Sequence, residues 1–457
     1  MSIHFLDDES LLNVFFLYRP AILDGDEDDK IRFRGGRGWN RERWWYKLVH
    51  VCKRWRHLVL ESTFFLGLCL VCTSGTPVAD MLKHSPPLPL AIDYDDTDCD
   101  IAAEEGILLA LEQRDRVRRF RLRIPAPNLQ KITVGIDEYP VLEYLIMEPS
   151  TEDVNTALIL PETLQTPHLR HLSLTGFALP IGSRLLTTAM GLATLALTLG
   201  HPSTYFQPNT LLRWLSFMPH LETLVISFLF PIPSRDVERQ LMHMPIITHV
   251  TLPNLRWFVF RGISAYLEAV VRRTTTPRLE KLSLRFFNQL TFFVPSLLQL
   301  TNTTVNFRFD SAKVDFFGDG VCVKAYSRGA DSEMCPFSIY VDSWCLDWQV
   351  SIVAQIFNSP SQIFSTVERL TLEHVVHSRS SEEHDEADRT VWRKFLKPFG
   401  NVSTLRVDEG LGKELLSSLR VGNGGLPLEL LPKLKNLEFF KSAGLVGTSH
   451  LRHCILI

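Results

Sequence analysis

The chain lacks the features that mark a secreted or membrane-inserted protein. No uncharged apolar run reaches the roughly 18 residues that a membrane-spanning helix needs. Residues 1–8 show no basic stretch followed by an apolar core, so no signal peptide is indicated. The formal net charge of -3 over 457 residues gives no general attraction to nucleic acid or acidic lipid. These absences favour a cytoplasmic or nuclear protein that binds neither membrane nor nucleic acid.

Cysteine is also scarce, and its distribution excludes one class of fold. The eight cysteines are scattered and stand mostly among apolar neighbours. This pattern suits buried thiols in a reducing compartment better than a disulfide framework. Cys69 and Cys72 have the spacing of half a zinc site, but no second Cys-x-x-Cys pair completes it.

Motifs of catalysis and of metal binding are missing as well. There is no nucleophile elbow, zinc-protease helix or kinase signature. The acidic run from Asp93 to Asp100 resembles a calcium loop, but Asp98 stands where the central glycine is required. A solvated loop leading into a helix at 101–113 is the favoured interpretation. We therefore expect no cofactor and no catalysis; an enzyme whose site assembles from distant residues is the third hypothesis, and it predicts an enclosed pocket with perturbed acids or bases.

Histidines offer only weak metal-site candidates. Three of them, His374, His377 and His384, could act as ligands, but no cysteine or second paired set lies close in sequence. The pair His168 and His171 belongs to a repeated phrase described below, and we predict both at the surface.

An amphipathic helix is predicted in residues 6–18, LDDESLLNVFFLY. Asp7 or Asp8 can cap its N-terminus, and Glu9 favours the positive end of the helix dipole. Pro20 follows, so the helix is expected to end at residues 17–19. The apolar residues at helical spacing are Leu11, Leu12, Phe15 and Phe16.

A polar stretch, 24–43, follows this helix, acidic at first and then rich in arginine and glycine. It carries too little apolar surface to order itself, so a flexible loop is predicted. Its basic half could bind an acidic partner, although a solvated loop is favoured on pattern alone.

A second helix is predicted over residues 44–59, WWYKLVHVCKRWRHLV. Its basic residues lie off one apolar face. That face consists of Leu48, Val51, Cys52, Trp55, Leu58 and Val59.

Together the two segments resemble the F-box, in the form common among mushroom-forming fungi. Residues 51–55, VCKRW, match the closing motif of that family, and the first segment matches its opening helix. Asp7 stands where the family has proline, which is expected to weaken the helix start, and the loop is longer than the family norm. The resemblance implies a three-helix unit that binds a Skp-type adaptor and thereby joins a cullin–RING ubiquitin ligase. The implied adaptor-binding residues are Leu6, Glu9, Leu11, Leu12, Phe15, Leu48, Val51, Cys52 and Trp55.

The rest of the chain repeats the phrase Pro-x-Leu-x-x-Leu-x-Leu. Successive first leucines from Leu142 to Leu279 stand 23 to 34 residues apart, against roughly 20–29 in leucine-rich repeats. Each Leu-x-Leu reads as a short strand, and segments such as 210–217 and 263–273 carry helical patterns. The phrase occurs at 139–147, 166–174, 190–197, 218–226, 252–260, 276–284, 367–372, 402–407 and 434–439.

The predicted fold is α/β: a short helical F-box, then a curved leucine-rich repeat solenoid with one parallel sheet and outer helices. An ordinary doubly wound domain is the alternative. Four strands are predicted in 301–345, read as an insertion or modified repeats continuous with the sheet: 305–309, 314–317, 321–326 and 337–341, with a hairpin turn at 318–320. A polar loop is expected at 377–388.

The expected domains are the F-box at 1–65, a connecting cap at 66–109 and the repeats at 110–457. The expected function is substrate reception: the F-box docks on the adaptor, and the repeats hold an unknown target protein for ubiquitin transfer by other subunits. The alternative is a repeat scaffold that joins two proteins without a ligase role.

Overall fold

The computed structural model divides into two compact units, Met1–Leu192 and Ala193–Ile457. The predicted loop at 24–43 and the polar loop at 377–388 lie outside the residues that the structure describes. The described residues are 6–18, 44–95, 101–150, 157–231, 249–289, 291–292, 294–304, 307–327, 335–357, 363–375, 389–419, 430–441 and 453–456.

The first unit begins with short helices. Four helices precede the first strand in the described residues, whereas the F-box resemblance implies three. The difference arises because the second predicted helix is divided into two. The four helices are α1 (Asp8–Tyr18), α2 (Tyr46–Val49), α3 (Lys53–Glu61) and α4 (Thr63–Leu66).

Strands and helices then alternate. The first unit contains β1 (Leu70–Cys72), α5 (Val78–His84), β2 (Leu90–Asp95), α6 (Ile101–Leu111), β3 (Val117–Ile124), α7 (Ala126–Val134), β4 (Tyr144–Pro149), β5 (Leu158–Ile159), β6 (His171–Thr175), β7 (Phe177–Ala178) and α8 (Arg184–Thr188). Strands β1, β2, β3, β4 and β6 pair in that order and are all parallel. β5 and β7 form a separate parallel pair.

The second unit continues the alternation. It contains β8 (Thr194–Leu199), α9 (Pro208–Leu215), β9 (Thr223–Phe228), β10 (Val250–Thr251), β11 (Trp257–Gly262), α10 (Ser264–Val271), β12 (Thr274–Thr275), β13 (Lys281–Phe286), α11 (Pro295–Thr303), β14 (Ser311–Phe317), β15 (Gly320–Tyr326), β16 (Phe337–Asp342), α12 (Leu346–Phe357), β17 (Arg369–Val375), α13 (Arg389–Leu396), β18 (Thr404–Asp408), α14 (Gly412–Leu419), β19 (Asn436–Phe440) and β20 (His453–Leu456). The main sheet runs in the order β8-β9-β11-β13-β16-β15-β14-β17-β18-β19-β20. Within this sheet, β15 is antiparallel to both of its neighbours and β20 is antiparallel to β19, while the other pairings are parallel. β10 and β12 pair apart from it.

Each of the nine repeated phrases contains or runs into a strand, so the prediction of a strand in every phrase is confirmed. The alternating leucines point into the core: Leu224 and Ile226 of β9, for example, are fully buried. The helices predicted at 210–217 and 263–273 are also present, as α9 and α10. Both units are therefore α/β with mostly parallel sheets. Their helices provide the crossover connections that join parallel strands.

In its described residues, the predicted insertion forms three strands where four were expected. β14, β15 and β16 match three of the expected segments and lie within the sheet, with the predicted turn at 318–319 between β14 and β15. The strand expected at 305–309 is wrong for its described part, because residues 307–309 are not strand. Phe307 and Phe309 instead pack as a buried aromatic pair.

Aromatic rings fill the core between the sheet and α10 in the second unit. Tyr266 of α10 lies 5.0 Å from Phe228 of β9 and 6.0 Å from Phe260 of β11, measured between ring centroids. A Cβ at Gly262 would stand only 2.7 Å from the Phe260 ring. The packing therefore leaves no room for a side chain at this position.

None of the described helices has the length and apolar character needed to span a bilayer.

Candidate functional site

The candidate site is the group of helices α1 to α4. α1 begins with an aspartate cap: the backbone N–H of Ser10 donates to Asp7 Oδ1 at 2.7 Å, and that of Leu11 donates to the Asp7 carbonyl at 3.0 Å. The hydrogen bond from Ser10 lowers the pKa of the Asp7 carboxyl. Of the two predicted capping residues, Asp7 is therefore the one that caps α1.

Apolar residues surround most of α1, but few of them are buried. Leu11 and Phe15 face inward at 0% and 1% exposure, whereas Leu17 is 82% exposed. Leu12 is half-buried, and Leu6 just before the helix is half-buried too. The predicted stripe is thus only partly covered within the chain. The exposed apolar side chains of α1 are Val14, Phe16, Leu17 and Tyr18.

The second predicted helix is broken at residues 50–52, which corrects the single apolar face proposed for 44–59. Cys52 has an extended backbone, with φ -158° and ψ 171°, and its Sγ accepts a hydrogen bond from the Trp55 N–H at 3.5 Å. Cys52 is therefore the N-cap of α3. The break turns Val51 outward, and this side chain is 57% exposed. Leu48, in contrast, is buried in α2.

An aromatic contact and an ion pair join helices α1 and α3. The rings of Phe15 and Trp55 meet edge to face with centroids 4.7 Å apart. Arg54 donates to Asp8 Oδ1 from Nε at 2.9 Å and from Nη2 at 2.6 Å, and Nη2 also reaches the Leu6 carbonyl at 2.6 Å. These two contacts bring the opening and closing segments of the resemblance together across the intervening loop.

The helices are also tied to the first strand. Trp45 is buried, and its Nε1 donates to the carbonyl of Cys69, just before β1, at 3.3 Å. Arg56 Nε donates to the carbonyl of Val49 at 2.9 Å, which fixes α3 against α2. Because several contacts set its position, the helical group is a packed part of the first unit.

The structure thus sorts the nine predicted adaptor-binding residues into three groups by their exposure. Leu11, Phe15 and Leu48 are buried in the core of the helical group. Glu9 and Val51 are exposed, and Leu6, Leu12, Cys52 and Trp55 are half-buried. Sequence reasoning missed the exposed Val14 and Leu17 and the contact of Asp8 with Arg54. The signal for the former was present, because an apolar stripe broader than the buried face of a helix points to a second contact surface.

The weak metal candidates do not assemble in the part of the chain that the structure describes, where no group of three potential ligands is found. Asp93 and Asp95 belong to β2, not to a loop, and both pair with Arg121. Asp98, Asp100, His377 and His384 lie outside the described residues.

The prediction of a surface position for His171 holds only in part, because this residue is half-buried. It stacks on Tyr144 with ring centroids 4.1 Å apart, and burial lowers its pKa to about 4. His168 is exposed, as predicted.

The chain was also compared with known proteins. No protein-family model matches it, and no curated protein matches it.

Proposed function

We propose that this chain is the substrate-receptor subunit of a Skp–cullin–F-box type ubiquitin ligase. In this proposal helices α1 to α4 are the F-box and bind the Skp-type adaptor. The repeated strand–helix units, read as an irregular leucine-rich repeat solenoid, hold the target protein. The chain itself then performs no catalysis and works in the cytoplasm or nucleus.

The observation that carries the proposal is the uncovered apolar surface of α1. A helix on the outside of a folded unit normally shows a polar outer face. Here Val14, Phe16, Leu17 and Tyr18 are all more than 40% exposed, and Val51 adds a further apolar side chain at the α2–α3 break. Such a surface fits helix-in-groove recognition by a partner with apolar anchors of its own.

A second observation supports the same proposal. The Phe15–Trp55 contact and the Arg54–Asp8 pair join segments that lie about 40 residues apart, which makes α1 and α3 one unit. Such preorganisation lowers the entropy cost of binding, because the two helices need no mutual ordering. The long loop between them adds little to that cost, since loop closure depends weakly on length.

The test is a pull-down of the full chain with a purified Skp-type adaptor. Val51→Asp and Leu17→Asp change exposed side chains, so both variants are expected to fold like the wild type. Each should weaken adaptor binding by about tenfold or more, because a carboxylate would be buried against apolar surface without a partner. Val134→Asp is the matched control, because Val134 is 75% exposed and belongs to α7, which is not one of the four helices of the group.

The outcomes separate the ligase role from the scaffold alternative. Adaptor capture by the wild type and by Val134→Asp, but not by Val51→Asp, supports the proposal, and addition of a cullin should then yield a ternary complex. A well-folded wild type that captures no adaptor overturns the ligase role. The chain would then be better described as a repeat scaffold.

A further inference from the structure

Two arginines stand side by side on the polar face of the second unit's sheet. The strand register pairs Arg261 of β11 with Arg285 of β13, and pairs Arg285 with Tyr340 of β16. On the other side, Arg261 is paired with Ser227 of β9. Their neighbours in the strands, such as Phe260 and Leu284, are buried on the opposite face. All four side chains therefore form one row on the same face, with about 5 Å between adjacent strands.

The two arginines differ in how their charge is balanced. Arg285 donates to Asp342 Oδ1 at 2.8 Å and lies 4.6 Å over the ring of Tyr340. Arg261 lies 5.6 Å over the ring of Phe287, and its buried Nε has no hydrogen-bond partner. Among the residues that the structure describes, Arg261 makes no ion pair. The charge of the Arg285 guanidinium is thus balanced by an ion pair, whereas that of Arg261 is not.

This arrangement has an energetic cost that a bound anion would remove. Like charges directly opposite each other on adjacent strands destabilise a sheet. Burial and the neighbouring Arg285 lower the pKa of Arg261, while Asp342 acts in the opposite direction. A guanidinium nevertheless keeps its charge at any physiological pH. An anion that reaches both arginines would relieve the repulsion and satisfy free N–H groups at once.

We propose that Arg261 and Arg285 bind a carboxylate side chain of an extended segment of the target protein. The planar N–H groups of arginine match the two oxygens of a carboxylate, and the Ser227 hydroxyl can supply a third donor. Tyr340, the half-buried member of the row next to Arg285, offers its ring to the residues beside that carboxylate.

The charge of the site favours a carboxylate over a phosphate. Two arginines less the one carboxylate of Asp342 leave a single positive charge, which matches a monoanion. A phosphate monoester carries nearly two negative charges at neutral pH and would find Asp342 within the same cluster. Asp319 accepts a hydrogen bond from the Tyr340 hydroxyl at 3.0 Å, so this further negative charge stands beside Tyr340, two strands from Arg261, and it disfavours a dianion more than a monoanion.

The experiment measures binding of a fluorescein-labelled hexaglutamate peptide to the full chain by fluorescence anisotropy at about 0.15 M salt, where distant charges are screened. Arg261→Gln should weaken this binding by about tenfold or more, because it removes the uncompensated charge-assisted donor. Arg256→Gln is the matched control, since Arg256 is exposed, lies just before β11, and changes the net charge equally. A hexaglutamine peptide should not bind.

Each result decides the matter. The site is supported if Arg261→Gln loses hexaglutamate binding while the affinity of Arg256→Gln changes by less than about twofold. Equal loss in both variants, or no binding by the wild type, overturns it. Tighter binding of a phosphoserine peptide of equal length overturns the carboxylate assignment.

The identification of the bound segment as a target rests on the proposed function, but the site does not. Arg261→Gln should still capture the Skp-type adaptor, and Val51→Asp should still bind hexaglutamate. Failure of the adaptor pull-down and failure of peptide binding are therefore separate results. A variant that lost both activities would point to misfolding, which circular dichroism detects, and Arg261→Lys then repeats the test with the charge retained and the planar donors removed.

Discussion

The rings of Phe15 and Trp55 meet edge to face, 4.7 Å apart, and this contact joins the first helix of the chain to α3. Phe15 is 1% exposed, so its ring contributes both buried apolar area and a favourable aromatic geometry. The helical group is small, and each such contact is a large part of what holds it together.

Replacing Phe15 with alanine should detach α1 from α3. The expected loss is about 3–5 kcal/mol of local stability, the usual range for deleting a buried phenylalanine. Hydrogen exchange of the α1 and α3 amides would measure it, because local opening need not change the melting of the whole chain. Leu17→Ala is the control, because Leu17 is 82% exposed and its truncation should change exchange little. Similar effects from both substitutions would show that the aromatic contact does not hold the helices.

Substitutions at Cys52 test how α3 begins. The Cys52 sulfur is a weak acceptor for the Trp55 N–H, and serine at the same extended backbone position is a better N-cap. Cys52→Ser should keep the stability of α3 or raise it slightly, whereas Cys52→Ala should lower it by about 1 kcal/mol. The measurement is exchange of the Trp55 amide. Equal behaviour of the serine and alanine variants would mean that burial of the side chain, not capping, is what this position requires.

The first unit should lose stability in mild acid because of His171. Its pKa in the folded chain is about 4, below the ordinary 6.5, since burial disfavours the charged ring. The unfolded chain therefore binds more protons between these two values, and the free energy of unfolding falls as the pH drops from about 6.5 toward 4. A lowering of this size is equivalent to a free energy on the order of 3 kcal/mol.

Thermal unfolding followed from pH 7.5 to pH 4.5 would measure this dependence. His171→Phe keeps a ring for stacking on Tyr144 and should flatten the decline. The exposed His168 is the control position, and His168→Gln should leave the decline unchanged. A decline that persists in His171→Phe would assign the acid sensitivity to other groups.

Local patterns predicted much of the secondary structure, because they depend on spacing alone. The Leu-x-Leu alternation located nine strands, and the spacing from Leu11 to Phe15 located α1 with its end at Tyr18. The pattern failed at residues 50–52, where helical spacing continues but the backbone does not. An N-cap contributes only about 1 kcal/mol, so contacts between residues distant along the chain decide whether the helix continues or a new one begins. One such contact is Trp45, whose indole donates to the carbonyl of Cys69.

Some features of the candidate site and of the sheet could be predicted from sequence, and others required the tertiary structure. The pairing of the two N-terminal segments was suggested by their resemblance to a family, but which side chains face outward was not. Leu48 and Val51 were placed on one apolar face, yet Leu48 is buried and Val51 is exposed. That β14, β15 and β16 continue the sheet was predicted and is confirmed, but their order β16-β15-β14 between β13 and β17 was not predicted, since an antiparallel hairpin can join a sheet at either edge or within it.

By itself the sequence determined that this chain is built from recurring strand–helix units behind a helical N-terminal segment, because periodicity and capping act between residues close along the chain. Only the tertiary structure decided that Arg261 and Arg285, 24 positions apart, share one row, or that α1 keeps apolar side chains uncovered. Strand register and burial are set by the packing of many residues at once, and no single stretch of sequence contains them.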